Sequence, residues 1–216
     1  MGRIVLLLML LAALPLISCS PASEAAADGA AVRKTEAPVV SHPSQGDVVT
    51  IEDASALLLT DDEGAAVSMR TALLNPGHVY TLWLVVINDP ENCEARPCTP
   101  ADILNNADAV RADVGYADGL VAGEDGRGNF AAYQPVGDLP DNWFGHGLAD
   151  PREAEMHLIV HDHGPLRAEM AEDMLTTYRG GCTDDSLSPA MPAFTKEFGR
   201  AGDNICALVQ QAQFEQ

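Results

Sequence analysis

The chain has 216 residues, 47% of them hydrophobic, a formal net charge of −20 and only two lysines, Lys34 and Lys196. A field of that sign repels nucleic acid and anionic headgroups, which excludes a nucleic-acid function; it favours solubility and attracts cations or a basic partner. The length beyond the apolar start and its polar continuation, about 170 residues, suits one domain with a full core.

Arg3 makes the start positive, and residues 4–17 form an almost unbroken apolar run. The run is shorter than the ~20 residues that cross a bilayer as a helix, so residues 1–18 are expected to be an export signal. It ends in "LISC", closing on Cys19, and in this it resembles a bacterial lipoprotein signal. The resemblance implies cleavage before Cys19, a diacylglycerol on its sulfur and acylation of the new N-terminus, and so a partner in the lipid bilayer. Several acyl chains attach a protein stably where one is marginal. Ser20 follows the cysteine. In such signals that implies the outer membrane, with the domain facing the periplasm or the cell surface. Ala, Ser, Pro and Glu then dominate without apolar periodicity. Residues 19–45 are therefore expected to be a lipidated, flexible tether in which His42 is solvated, and residues 46–216 a single domain.

Strand signals are dense in that domain. "GDVVTIEDASALLLT" predicts one or two short strands, ending at the acidic turn Asp61, Asp62, Glu63, Gly64. "AAVSMRTAL" alternates, with Val67, Met69, Thr71 and Leu73 on one side. After the turn "LNPG" comes "HVYTLWLVVIN", rich in β-branched and aromatic residues and apolar on both faces, as a central strand should be. Thr99, Pro100 and Asp102 form a helix start. "VGYADGLVAG" and "NFAAYQPV", joined by the turn "EDGRG", are expected to pair as a hairpin. A long loop follows, pinned by Trp143 and Phe144; then the strand "AEMHLIVHDHG", a partly helical "LRAEMAEDMLTTY" and the last strand "NICALVQQAQF". Many short strands with Gly and Pro turns predict an all-β, antiparallel β-sandwich, immunoglobulin-like or of a related Greek-key topology, with one or two short helices. A small barrel is the alternative.

Cys93, Cys98, Cys182 and Cys206 are even in number and belong to an exported chain, which favours disulfides over a four-cysteine zinc site. Three pairings exist, and the local one, Cys93 with Cys98, is the most economical; Cys182 would then pair with Cys206. "NPGHVYTLWLVVINDPENC", the later "GLADPREAEMHLIVHDHG" and the cysteine-bearing last strand resemble a group of exported bacterial proteins of unassigned function, over most of residues 65–214. The resemblance implies one secreted domain and brings no chemistry. In that group's pattern the position of His161 need not be histidine.

"HLIVHDHG" holds His157, His161 and His163. On a strand these share a face with Ile159, while Met156, Leu158, Val160 and Asp162 point the other way. Leu158 and Val160 read as core, so the histidine face is expected to be an outer surface or a shallow groove. His161 and His163 form an H-x-H pair able to take Zn or Cu, with His78 or His146 as a third ligand from another element. His157 is roughly 13 Å from His161 along the strand and stands apart. Histidines on a solvated face need no ligand, and that reading is the simpler one. The acidic turns at 61–63 and at Glu124, Asp125 and Asn129 raise Ca as a weaker possibility, without EF-hand spacing.

No nucleophile elbow, phosphate loop or dinucleotide fingerprint occurs, and Ser186 and Ser188 sit in a loop. Tyr116, Tyr133, Trp143 and Tyr178 could form a sugar platform or pack inside; Trp143 exposed in a cleft would favour ligand binding. The function expected first is a non-catalytic, lipid-anchored envelope domain acting as a binding or accessory module, with an envelope protein or a glycan as a possible partner. A periplasmic Cu/Zn-binding protein using His161 and His163 comes second, and an enzyme third.

Overall fold

A computed structural model describes residues 31–215, so the export signal, Cys19 and most of the expected tether lie outside the described residues. β5 (His78–Ile87) is the axis of the fold because both its faces are apolar. Tyr80, Leu82, Leu84 and Val86 point into one core, and Trp83, Val85 and Ile87 into a second. β5 pairs antiparallel with β6 (Ala112–Val121) on one side and β8 (Glu155–Pro165) on the other. Beyond β8 lie β9 (Ala207–Phe214) and the two-residue β2 (Val40–Ser41), completing a five-stranded sheet in the order β2-β9-β8-β5-β6. The opposing sheet has the order β1-β3-β4-β7, from β1 (Arg33–Ala37), β3 (Ser55–Thr60), β4 (Gly64–Thr71) and β7 (Gly128–Pro135). All named pairings are antiparallel, and the main core between the sheets includes Leu58, Val67, Met69, Phe130, Leu158 and Phe214. This is an all-β antiparallel sandwich.

Four expectations are corrected by tertiary contacts. β6 and β7 are not a hairpin: β6 pairs with β5 and β7 with β4, so the turn between them carries the chain from one sheet to the other. The tether does not extend to residue 45. β1 is an edge strand whose backbone pairs Arg33 to Ala37 with Thr60 to Ala56, and Ala37 and Val39 are buried. His42, expected in solvent, is buried; its Nδ1 accepts from the backbone N–H of Ser44 at 3.2 Å, and burial pushes its pKa down to about 4. Leu73 does not continue β4; it is 77% exposed at φ 61°, in the turn region that side chains other than glycine rarely enter.

Three short α-helices decorate the sheets, one more than the upper expectation: α1 (Pro100–Asn105), α2 (Ala107–Val110) and α3 (Ala171–Thr176). Thr99 and Asp102 close a reciprocal capping box on α1, with Pro100 in its first turn. Cys93 pairs with Cys98 and Cys182 with Cys206. The second disulfide ties the long segment after β8 to the start of β9. That segment, with the loop around Trp143 and α1, covers the outer face of the five-stranded sheet, where Trp83, Val114, Tyr178, Cys182 and Leu187 are buried together. Among the described residues no helix is long and apolar enough to cross a membrane.

Candidate functional site

The three histidines of β8 do share one face, and Leu158 and Val160 do point into the core between the sheets. The histidine face is not a surface, however: His157, His161 and His163 are 2%, 1% and 0% exposed. The covering segment seals it. The ring of His161 stacks on Tyr178 at 4.4 Å and lies 4.4 Å from the ring of His163. Its Nδ1 is buried with no hydrogen-bond partner. Burial, helped by the neighbouring His163, drives its pKa well below the usual imidazole value.

His163 is fully committed. Trp83 Nε1–H donates to Thr81 Oγ1 at 2.9 Å, leaving the threonine hydroxyl to donate to His163 Nε2 at 2.8 Å. His163 Nδ1–H donates in turn to the Gly180 carbonyl at 2.8 Å. The carbonyl only accepts, which sets the tautomer. Gly180 is required there, because a Cβ would fall 2.1 Å from the carbonyl oxygen of Asp173 in α3. Burial lowers the pKa of His163 to about 4, against the raising effects of the Gly180 carbonyl and Asp162.

The expected H-x-H metal pair is therefore corrected in its surroundings. His78 is held by Asp162 at 3.0 Å, and His146 meets Asp108 at 3.1 Å. Neither joins the pair within the described residues, where the one cluster of metal-ligating type is His161 with Cys182 and Cys206. Those two sulfurs are bonded to each other, so the thiolates a soft metal would take are already spent. The acidic turns do other work. Asp61 Oδ1 accepts the backbone N–H groups of Glu63 and Gly64, Asp62 pairs with Arg152, and Asp125 caps Arg127.

The same sheet face opens, next to this sealed end, into a cavity of about 480 Å³. Its floor is a patch of four strands, set by register. His157 stands between Val85 on β5 and Gln213 on β9, and Ile159 between Trp83 and Gln211. Ile103 and Leu104 of α1, Pro97, Trp143, Tyr178 and Met191 wall it, and His42, Pro43 and Val48 complete the rim. Trp143 is half-buried, between the two alternatives that the sequence left open. It packs on Trp83 at 5.5 Å and on Tyr178 at 5.1 Å, and Tyr116 joins the group edge-on through Trp83. Tyr133 is exposed on β7 in the other sheet, so the four candidate aromatics do not form one platform.

Behind His157 and Cys98, which line the cavity, lies a buried charge centre. Glu155 is 0% exposed and accepts three hydrogen bonds: from Cys98 N–H at 2.6 Å, His157 Nε2–H at 2.7 Å and Arg96 Nε at 3.0 Å. Burial opposes its ionisation, but the hydrogen bonds from His157 and Cys98 and the guanidinium charge of Arg96 outweigh it, and its pKa is lowered. The disulfide-closed loop 93–98 thus presents both a backbone donor and a guanidinium to one carboxylate. Two other polar groups of the lining are occupied: Thr99 Oγ1 donates to Asp102, and Cys98 is in its disulfide.

Comparisons of the chain with protein families, curated proteins and solved structures found no match. Sequence reasoning named Trp143 but not the cavity beside it. The signal for Glu155 with His157 was present as two residues of one parity, yet their partners Arg96 and Cys98 are about sixty residues away.

Proposed function

We propose that the protein is a non-catalytic, lipid-anchored module of the cell envelope that binds a small apolar ligand in the cavity over its five-stranded sheet. The observation that carries this reading is the cavity itself: about 480 Å³, walled by Trp83, Trp143, Tyr178, Val85 and Ile159, with a few polar groups gathered at one edge. Concave, mostly apolar sites with sparse, placed polar groups are the usual form of small-molecule pockets. A half-buried tryptophan in the wall supplies contact area at little entropic cost. The "LISC" start and two disulfides support an exported, anchored chain.

Both tryptophans of the chain line the cavity, so its occupancy is readable by their fluorescence. Naphthalene titrated into the folded protein should give a saturable change, weakened at least tenfold in Trp143→Ala. Absence of saturable binding would refute the reading. Anchoring is tested separately: the intact mass of membrane-extracted protein should show acylated Cys19 as the first residue.

A further inference from the structure

The polar edge of the cavity says what kind of ligand enters it. We infer that the ligand is an uncharged molecule with an apolar, ring-sized body and a hydroxyl group that donates a hydrogen bond to Nδ1 of His157. This rests on the cavity being the ligand site.

The argument begins behind the ring. The Glu155 carboxylate accepts from Cys98 N–H, Arg96 and His157 Nε2. A carboxylate held by a guanidinium and two N–H donors is ionised, and an ionised carboxylate only accepts. Nε2 must therefore carry a proton, and with that as the ring's single proton the lone pair lies on Nδ1. That nitrogen has no partner among the described residues, yet it is not sealed as Nδ1 of His161 is. His157 lines the cavity, so the open acceptor belongs to the ligand. The buried carboxylate fixes both ring orientation and tautomer, as such partners do for working histidines.

The neighbouring strand extends the polar edge. Gln213 pairs with His157, and Gln211 with Ile159; both line the cavity, and neither side-chain amide has a hydrogen-bond partner among the described residues. The β5 and β6 side of the floor is Trp83, Val85 and Val114, without a polar atom to spare, since Trp83 Nε1 already donates to Thr81. A ligand matching this division has one apolar end and one hydrogen-bonding end.

Charge narrows it further. No lysine or arginine lines the cavity, and the chain carries −20, so an anionic ligand would meet repulsion without a counter-charge. A cation would need aromatic faces standing apart around it. Here the rings of Trp83, Trp143 and Tyr178 lie 5.1–5.5 Å apart, packed on one another. A neutral hydroxyl remains as the donor that fits.

The test compares naphthol, its methyl ether and naphthalene on the full-length protein by tryptophan fluorescence. A cavity that offers no acceptor would prefer naphthalene, because the hydroxyl must be desolvated. With Nδ1 accepting, naphthol should bind about tenfold tighter than either the ether or naphthalene. In His157→Phe that preference should disappear while naphthalene binding persists. Should this variant fail to fold, the ¹⁵N shift of His157 Nδ1 in the wild-type protein decides instead, since it should move on adding naphthol and not on adding the ether. Naphthalene binding equal to or tighter than naphthol would overturn the inference and leave the cavity as a ligand site. Binding of none of the three would overturn both.

Discussion

Acid should unfold this protein partly through His163, and the size of the effect follows from the structure. The ring is 0% exposed, with Nε2 accepting from Thr81 and Nδ1 donating to Gly180. Its pKa falls from an ordinary 6.5 to about 4, chiefly through burial. Between these values the unfolded chain takes up a proton that the folded one refuses. Stability from this residue is thus complete above about pH 6.5 and is lost as the pH falls towards 4. The gap corresponds to ~3 kcal/mol, at about 1.4 kcal/mol per tenfold. Carboxylates and His161 also titrate, so the wild type is best set against His163→Gln, where those contributions largely cancel. Urea unfolding at several pH values should show the wild-type advantage over the variant shrinking by ~3 kcal/mol from about pH 7.5 to about pH 4. A difference constant to within about 1 kcal/mol, or a His163 ring titrating near 6.5 by NMR, would refute the reasoning.

Three other changes probe the core, the staples and the cavity edge. Leu158→Ala, at a fully buried position between the sheets, should cost about 3–4 kcal/mol in urea unfolding; a loss under about 1 kcal/mol would contradict its placement. Removing Cys182–Cys206, which closes a separation of 24 residues, should cost about 3 kcal/mol, against about 2 kcal/mol for Cys93–Cys98 with its separation of 5; the reverse order would count against the loop-entropy account. Glu155→Gln removes the charge that Arg96, Cys98 N–H and His157 converge on, and should destabilise by about 2–4 kcal/mol while increasing hydrogen exchange at Cys98 N–H; unchanged exchange would mean that the carboxylate does not hold the loop.

Much of the fold is legible because it is local. The both-faced apolar pattern of β5, the Thr99–Asp102 box and the two disulfide pairings can be read without the structure, and each rests on spacing along the chain. β1 escapes because "RKTEA" has no apolar period: an edge strand can be held by backbone bonds to β3 alone. The supposed β6–β7 hairpin fails because a short turn joins strands equally well within a sheet and between two sheets, and only the pairing with β5 and β4 decides.

The candidate site divides along the same line. Strand parity by itself put His157, His161, His163 and Ile159 on one face, with Leu158 and Val160 on the other, because side chains alternate with a period of two. It also separated His157 from the close pair. Whether that face meets water was settled elsewhere: Met170, Met174, Tyr178 and Leu187 arrive from the segment after β8, and Trp143 from the loop before it. The cover turned an expected outer surface into a sealed end, where His163 is spent on Thr81 and Gly180, and an open end, where His157 faces a cavity with Glu155 behind it. Alternation is a property of the strand, whereas burial is a property of everything packed upon it, and only the tertiary structure brings those distant residues together.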